Sequence, residues 1–310
     1  MATSALGAIL FCNSAIADQT ATTSTVETVT VTAQKLTDAR NGIQTQLGAS
    51  TYKITADEIE AQPGGDNNLL NQVILQAPGV AQDSFGQLHI RGEHNGLQYR
   101  LNGIIIPEGI SVFGQTLDPR LAGSVSLITG ALPAEYGLRT AGIIDVQTKS
   151  GEFAPGGDVS IYGGSHGEIE PSFDYGGSSG NLNYFVSGDY QTNTLGIESP
   201  DGSSDPLHDR TKQVHGFAFL QDILDQSSSV TAIFGTSNDM FQIPDLRGLQ
   251  PDLGLSVNGQ TAFASNNLNE NQREITHFGI LSYLHSQGAF DFQISGFGRY
   301  SSLYFTPDAI

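Results

Sequence analysis

Between residues 290 and 300 the chain alternates with a period of two: Phe290, Phe292, Ile294, Gly296 and Tyr300 fall on one side, Asp291, Gln293, Ser295 and Arg299 on the other. Successive side chains of a β-strand point to opposite faces, so this segment predicts a strand with one apolar and one polar face. The same texture begins after Gly151. Val159 and Ile161, then Ile169, Phe173 and Tyr175, alternate with Ser residues, Glu170, Ser172 and Asp174. Leu182, Tyr184, Val186, Gly188 and Tyr190 alternate with Asn183, Ser187, Asp189 and Gln191. Residues 214–224 and 275–285 repeat the pattern less cleanly, and about seven strands result.

The connections sort by length. Those near 177–181, 225–229 and 286–289 are tight Gly/Ser/Gln turns, whereas those near 193–213 and 241–273 are long and polar. A transmembrane β-barrel has short turns at one end and longer loops at the other, and its strands carry an apolar lipid face opposite a polar lumen face. A soluble sandwich has no reason to sort its loops this way.

Composition narrows the partners. Thirty-two acidic against 13 basic residues give a net charge of −19, which argues against nucleic acid, since phosphate binding needs Lys and Arg. It argues equally against docking on an anionic inner leaflet. Hydrophobic residues make up 38%, too many for wholesale disorder. The one cysteine, Cys12, excludes an internal disulfide framework and a Cys-based zinc site. No stretch reaches the ~18 apolar residues of a transmembrane helix, but strands of ~9–11 residues cross a membrane without one.

Residues 5–17 are apolar and small and end in Ala15-Ile16-Ala17 before Asp18, a small-x-small cleavage pattern. Residues 1–17 therefore read as a signal peptide with a mature start at Asp18. No Lys or Arg precedes Lys35, so the basic n-region is missing, through a start placed too late or a clipped signal. Residues 18–25 form a polar leader. Val26, Glu27, Thr28, Val29, Thr30, Val31, Thr32 and Ala33 follow, β-branched and alternating. Such a segment serves either as an ordinary edge strand or as a strand added to another protein's sheet.

From about 40 to 150 the pattern is that of a compact α+β unit. Thr55 can cap a helix with Asp57 and Glu58 in its first turn. Asp66 can cap a second, with Leu69, Leu70, Val73 and Ile74 on one face, ended by Pro78-Gly79. Short strands are expected at 88–90, 98–101, 124–128 and 142–148.

Several motifs in this unit lie in a particular order. Leu75-Gln76-Ala77-Pro78-Gly79-Val80 is followed by Ile90-Arg91-Gly92 and by Leu101-Asn102-Gly103-Ile104. Ser126 to Gly137, with Ala134-Glu135-Tyr136-Gly137 at its end, and Gly142 to Gly151 close the series. This order resembles the plug domain of TonB-dependent outer-membrane receptors. Asn102 stands where Asp is common, and Thr129-Gly130-Ala131 where Arg-Gly-Pro is usual. The Ala-Glu-Tyr-Gly wording resembles an Oar-like branch of large receptors with diverse cargo.

The resemblance implies an α+β plug followed by antiparallel strands of an outer-membrane β-barrel. Residues 18–33 become a periplasmic leader in which Glu27 to Ala33 resemble the TonB box, 34–150 the plug, and 151–310 the first strands. A plugged transporter closes at about 22 strands, so the barrel is expected to be incomplete here, either a truncated gene product or a partial record. The implied partners are a TonB-type energy-transducing protein, outer-membrane lipid of a Gram-negative bacterium, and an extracellular substrate: siderophore, cobalamin, saccharide or larger cargo. A non-transporting structural or adhesive β-protein derived from such a receptor is the alternative. A signalling receptor with a further periplasmic domain lacks room between Asp18 and Val26.

No enzyme and no cofactor are expected. His89 and His94 flank Arg91, which is unfavourable beside a cation, and His208 lies with Asp205 and Asp209 in a long acidic loop. Gly163-Gly164-Ser165-His166-Gly167 reads as a turn, because no helix with a Lys follows it. No nucleophile elbow or ordered carboxylate pair stands out.

Overall fold

A computed structural model of the chain describes residues 32–33, 35–37, 40, 48–83, 87–94, 96–106, 116–132, 134–137, 140–151, 155–197, 199, 202–203, 206–246, 259 and 267–308. Two regions follow one another. The first contains strand β1 (Ala49–Thr55), helices α1 (Ala56–Glu60) and α2 (Leu70–Ile74), and strands β2 (Val80–Gln82), β3 (Leu88–Ile90), β4 (Glu93–His94), β5 (Leu97–Leu101), β6 (Ile104–Ile105), β7 (Ala122–Gly130) and β8 (Gly142–Thr148). Five of these strands make one sheet in the order β1-β7-β8-β5-β6, and β2-β3-β4 make a small second one. β5 runs parallel to β8, and the other pairs of the larger sheet are antiparallel.

Helix α1 begins where the sequence predicts. Thr55 accepts from the Glu58 amide while the Glu58 carboxylate accepts from the Thr55 amide at 2.7 Å, a reciprocal capping box. Helix α2 differs from expectation. Its N-cap is Leu69, with no side-chain cap, and Asp66 sits one turn earlier in a short 3-10 turn, Gly65–Asn67. The Asp66 carboxylate is engaged elsewhere, by Arg120.

The second region is a meander: β9 (Gly156–Gly163), β10 (Ile169–Ser179), β11 (Leu182–Asn193), β12 (Thr211–Asp225), β13 (Ser228–Gln242), β14 (Asn271–Gln287) and β15 (Phe290–Thr306). Every neighbouring pair is antiparallel, and the sheet is open, with β9 and β15 at its edges. The expected fold, an α+β unit followed by antiparallel strands of an incomplete barrel, is the one observed. Its turns at 180–181, 226–227 and 288–289 lie at one end, and the longer connections at the other.

Alternation divides the side chains of this sheet. Val214, Leu220 and Leu224 of β12, Phe234 and Met240 of β13, Leu281 of β14 and Ile294, Tyr300 and Tyr304 of β15 point outward and are exposed. Phe185, Phe217, Phe219, Ile233, Phe278 and Ile280 point inward and are buried in one cluster with Leu101, Leu121, Val125 and Ile144 of the α+β unit. The sheet thus wraps part of that unit, and its outer face is an apolar belt of the kind lipid covers. The inward face is more apolar at mid-height than the pattern read from sequence alone implies, because it packs against another part of the chain.

Candidate functional site

The two regions meet along a seam that changes character from one end to the other. Toward the short turns it is aliphatic: Ile223 and Leu284 bury against Ala33 and Leu36. At mid-height it is aromatic, with the Lys149 ammonium 6.0 Å from the Phe185 ring centroid. Toward the long connections it is charged.

The charged part is built on a 3-10 turn, Pro119–Leu121, whose N-cap Asp118 accepts from the Arg120 amide at 2.7 Å. This turns the Arg120 side chain into the seam, where it is 4% exposed. Its guanidinium donates to Asp66 at 3.0 Å and Asn67 at 3.1 Å within the α+β unit, and to Glu170 of β10 at 3.2 Å. Burial works against the charge of Arg120, but Asp118, Asp66 and Glu170 outweigh it and hold its pKa above the ordinary value. A planar fork suits this arrangement, since one guanidinium reaches both regions at once.

Beside it lies a second group. Asp189 of β11 and His215 of β12 are direct cross-strand partners, joined at 2.7 Å between Oδ2 and Nδ1. On the other side of the ring, Nε2 faces the Asp239 carboxylate of β13 at 3.6 Å. Asp118 closes the group from the α+β side, with Thr116, Leu121, Ser187, Phe217 and Phe278 around it. Burial, then the Asp189 charge, push the Asp118 carboxyl up to about 7, with His215 and Arg120 opposing. Arg299 of β15 adds a further tie, donating to Thr116 at 3.2 Å.

The residues singled out in the sequence fall into local junctions rather than one site. Glu27, Thr28, Val29, Thr30 and Val31 lie outside the described residues. Thr32 and Ala33 are described, and they are helical rather than extended. The physical reason is burial: Ala33 and Leu36 pack together on Ile223 and Leu284, and tertiary contact overrides the β propensity of Thr.

Pro78-Gly79 and Arg91-Gly92 meet at the β2–β3 hairpin, where Val80 pairs with Ile90 and the Arg91 amide donates to the Gly79 carbonyl at 2.7 Å. Arg91 has φ 52°, a left-handed conformation, and its side chain is exposed. Asn102 and Gly103 form the β5–β6 turn, also left-handed, with φ 52° and 78°. The buried Asn102 amide accepts from the Thr148 amide at 3.0 Å and donates to the Thr148 hydroxyl at 2.9 Å, while the Gly103 amide donates to Asp145 at 3.2 Å. A residue with both donor and acceptor suits this position, which gives the departure from Asp a physical reading. Tyr136 is buried with Ile128 and Ile143, and the Arg100 guanidinium lies 4.4 Å from its ring centroid. Gly137 turns the chain with φ 68°, and the backbone of Glu135 lies in the 3-10 turn before it. These motifs position strands.

The residues that join the two regions, Asp118, Arg120, Glu170, Asp189, His215 and Asp239, were not singled out. One signal was available. Glu170 and Asp189 already stood on the polar face of predicted strands, and a charge buried in a spanning strand requires a partner.

Residues 43–144 match the family model described as TonB-dependent Receptor Plug Domain. A search of curated proteins finds no match. Among solved structures, the siderophore receptor PirA from Pseudomonas aeruginosa is 16% identical with TM-score 0.58, over 84% of this chain and 42% of its own. The ferric yersiniabactin uptake receptor FyuA from Yersinia pestis is 17% identical with TM-score 0.61, over 85% and 42%. The ferric-catecholate import receptor Fiu from E. coli K12 is 15% identical with TM-score 0.59, over 84% and 39%. The chain spans about two-fifths of the length of these relatives, and at such identity the likeness is one of fold.

Proposed function

We propose that this chain, a TonB-dependent receptor by its plug domain, works in the outer membrane of a Gram-negative bacterium as part of an energised importer. A substrate binds on the side of the long connections. A TonB-type protein pairs with residues 26–31 from the other side, and pulling on that segment moves the plug. The proposed cargo is a scarce molecule: a siderophore, cobalamin, a saccharide or something larger. Glu27, Thr28, Val29, Thr30 and Val31 are the proposed partner-binding residues, with Thr32 and Ala33 in the helical anchor that follows them.

One observation carries this reading. Ala33 and Leu36 anchor against Ile223 and Leu284, near the turns at 226–227 and 288–289. Ala33 is thus anchored toward the short-turn end, which in bacterial barrels faces the periplasm, and this supports a periplasmic partner for the segment that precedes it. The polar part of the seam also supports motion, because charges pulled apart there regain hydration, whereas a wholly apolar seam would not.

The test is proline substitution. A strand added to a partner's sheet is held by main-chain hydrogen bonds, and proline removes the N–H and fixes φ. Val29→Pro and Val31→Pro are expected to abolish energised uptake while leaving equilibrium substrate binding at the cell surface nearly intact, and Val29→Thr to be mild. Wild-type uptake by both proline variants would end the assignment. Parallel loss of binding and uptake would make residues 26–31 an edge strand of the plug, and with it favour a non-transporting outer-membrane β-protein.

A further inference from the structure

The carboxylates of the seam outnumber its cations. Arg120 spends its three shortest hydrogen bonds on Asp66, Asn67 and Glu170, and its Nε is 4.0 Å from Asp118. Asp118, Asp189 and Asp239 are left to gather around one imidazole, that of His215. Burying like charges without compensation is costly, and the ways out are protonation or a bound cation.

The geometry points to a divalent transition-metal site at this seam, with Asp118, Asp189 and His215 as ligands and Asp239 behind the imidazole. Ligand atoms of the three lie within 4.8 Å of one another. Atoms sharing one ion at about 2.1 Å can be at most about 4.2 Å apart, so side-chain rotations of a few tenths of an ångström would close the set.

A second observation concerns the far side of the imidazole, away from the three ligand atoms. His215 Nε2 and Asp239 Oδ1 are both buried without a hydrogen bond, 3.6 Å apart, in residues that are 9% and 1% exposed. A metal-bound imidazole keeps its ring oriented by giving the other N–H to a carboxylate. If Nδ1 takes the ion beside Asp189, Nε2 is left to donate to Asp239, and both unsatisfied atoms find a partner.

Two carboxylates and one imidazole without a thiol suit borderline ions such as Mn²⁺, Co²⁺ or Zn²⁺ better than Ca²⁺ or Mg²⁺, which prefer oxygen alone. The ligands come from the plug turn and from two wall strands, so the ion would join the plug to the wall. The inference does not depend on transport.

The probe is Co²⁺, which reports its coordination by visible absorption. The protein, extracted from outer membranes without chelator, is equilibrated with Co²⁺ and its spectrum and bound cobalt are measured. The expected result is a ligand-field band that saturates at about one ion per chain. Asp239→Asn should weaken binding about 10–100-fold, as loss of an imidazole's supporting carboxylate does. Asp118→Asn keeps an acceptor for the Arg120 amide, so it separates loss of metal from loss of fold, and it should remove the band. Absence of the band in folded wild-type protein, or an unchanged band in Asp118→Asn, would overturn the site. If His215→Gln fails to fold, the two Asp variants still decide the matter.

Discussion

Ile144 in β8 and Ile294 in β15 are both β-branched residues within strands, yet the first is 0% exposed and the second 66%. Around Ile144 the plug turns its apolar residues inward, as a protein folding in water does. Around Ile294 the wall turns them outward, and its inward face is completed by the plug. The same alternation therefore carries opposite instructions in the two regions, and neighbours and solvent decide which is obeyed. One continuous core joins Ile54, Ile59, Val73, Ile74, Val125 and Ile144 of the plug to Phe185, Phe217, Phe219, Ile233, Phe278 and Ile280 of the wall, so each region completes the burial of the other.

The sharpest way to break this comparison is to separate the regions. Residues 34–150 expressed alone are expected to stay soluble and give a cooperative thermal transition. Residues 158–310 alone should aggregate or remain partly disordered in detergent, because the open edges leave unpaired N–H and C=O groups that hydrocarbon cannot satisfy. Circular dichroism and sedimentation of the two pieces check this. A stable, heat-modifiable barrel formed by the second piece would show that the wall needs neither the plug nor further strands.

Single substitutions sharpen it further. Ile144→Ala should cost about 2–5 kcal/mol of plug stability, the range for emptying a well-packed core site. Ile294→Ala, on the outer face, creates no cavity and should leave the plug's transition unmoved. Leu281→Arg at the same face should cost about 2–4 kcal/mol if that residue lies near the bilayer midplane, and about 0–1 kcal/mol near an interface. Urea titration of the whole chain for the first pair, and folding into lipid vesicles for the last, provide the measurements. Equal costs for Ile144→Ala and Ile294→Ala would mean that the outer face is packed against protein.

Much of this was readable from the sequence because local rules decided it. The alternation read over residues 182–191 and 290–300 falls within the strands Leu182–Asn193 and Phe290–Thr306, and loop lengths told the two ends apart. Thr55 and Glu58 announced α1 at the right spacing. What stayed hidden depends on contacts between residues distant in sequence. Asp66 looked like a helix cap and instead bonds Arg120, 54 positions away. Thr32 looked extended and is helical, beside an Ala33 buried by residues that follow it by nearly two hundred positions or more. Asp189 and His215 become a pair only once the β11–β12 register is known, and a one-residue slip would put them on opposite faces of the sheet. Asp118 gave no signal, since an Asp before Pro119 in an irregular stretch reads as an ordinary turn.

The smallest expected effect tests whether the plug follows water-phase rules down to its caps. Thr55 accepts from the Glu58 amide at 3.3 Å, and its hydroxyl and amide both donate to the Glu58 carboxylate, at 2.9 and 2.7 Å. Thr55→Ala removes the hydroxyl and should lower plug stability by about 1 kcal/mol, whereas Thr55→Ser, which keeps it, should change little. The Glu58 pKa is lowered, first by the bond from the Thr55 amide and then by that from its hydroxyl. A group whose folded pKa is depressed contributes stability above its unfolded value and loses it as pH falls through the folded one. The difference between wild type and Glu58→Gln should therefore shrink on acidification below the ordinary carboxylate range. Urea denaturation of residues 34–150 at neutral and acid pH measures both effects. If Thr55→Ala and Thr55→Ser were equally stable, the cap would be idle, and α1 would be held by the burial of Ile59 alone.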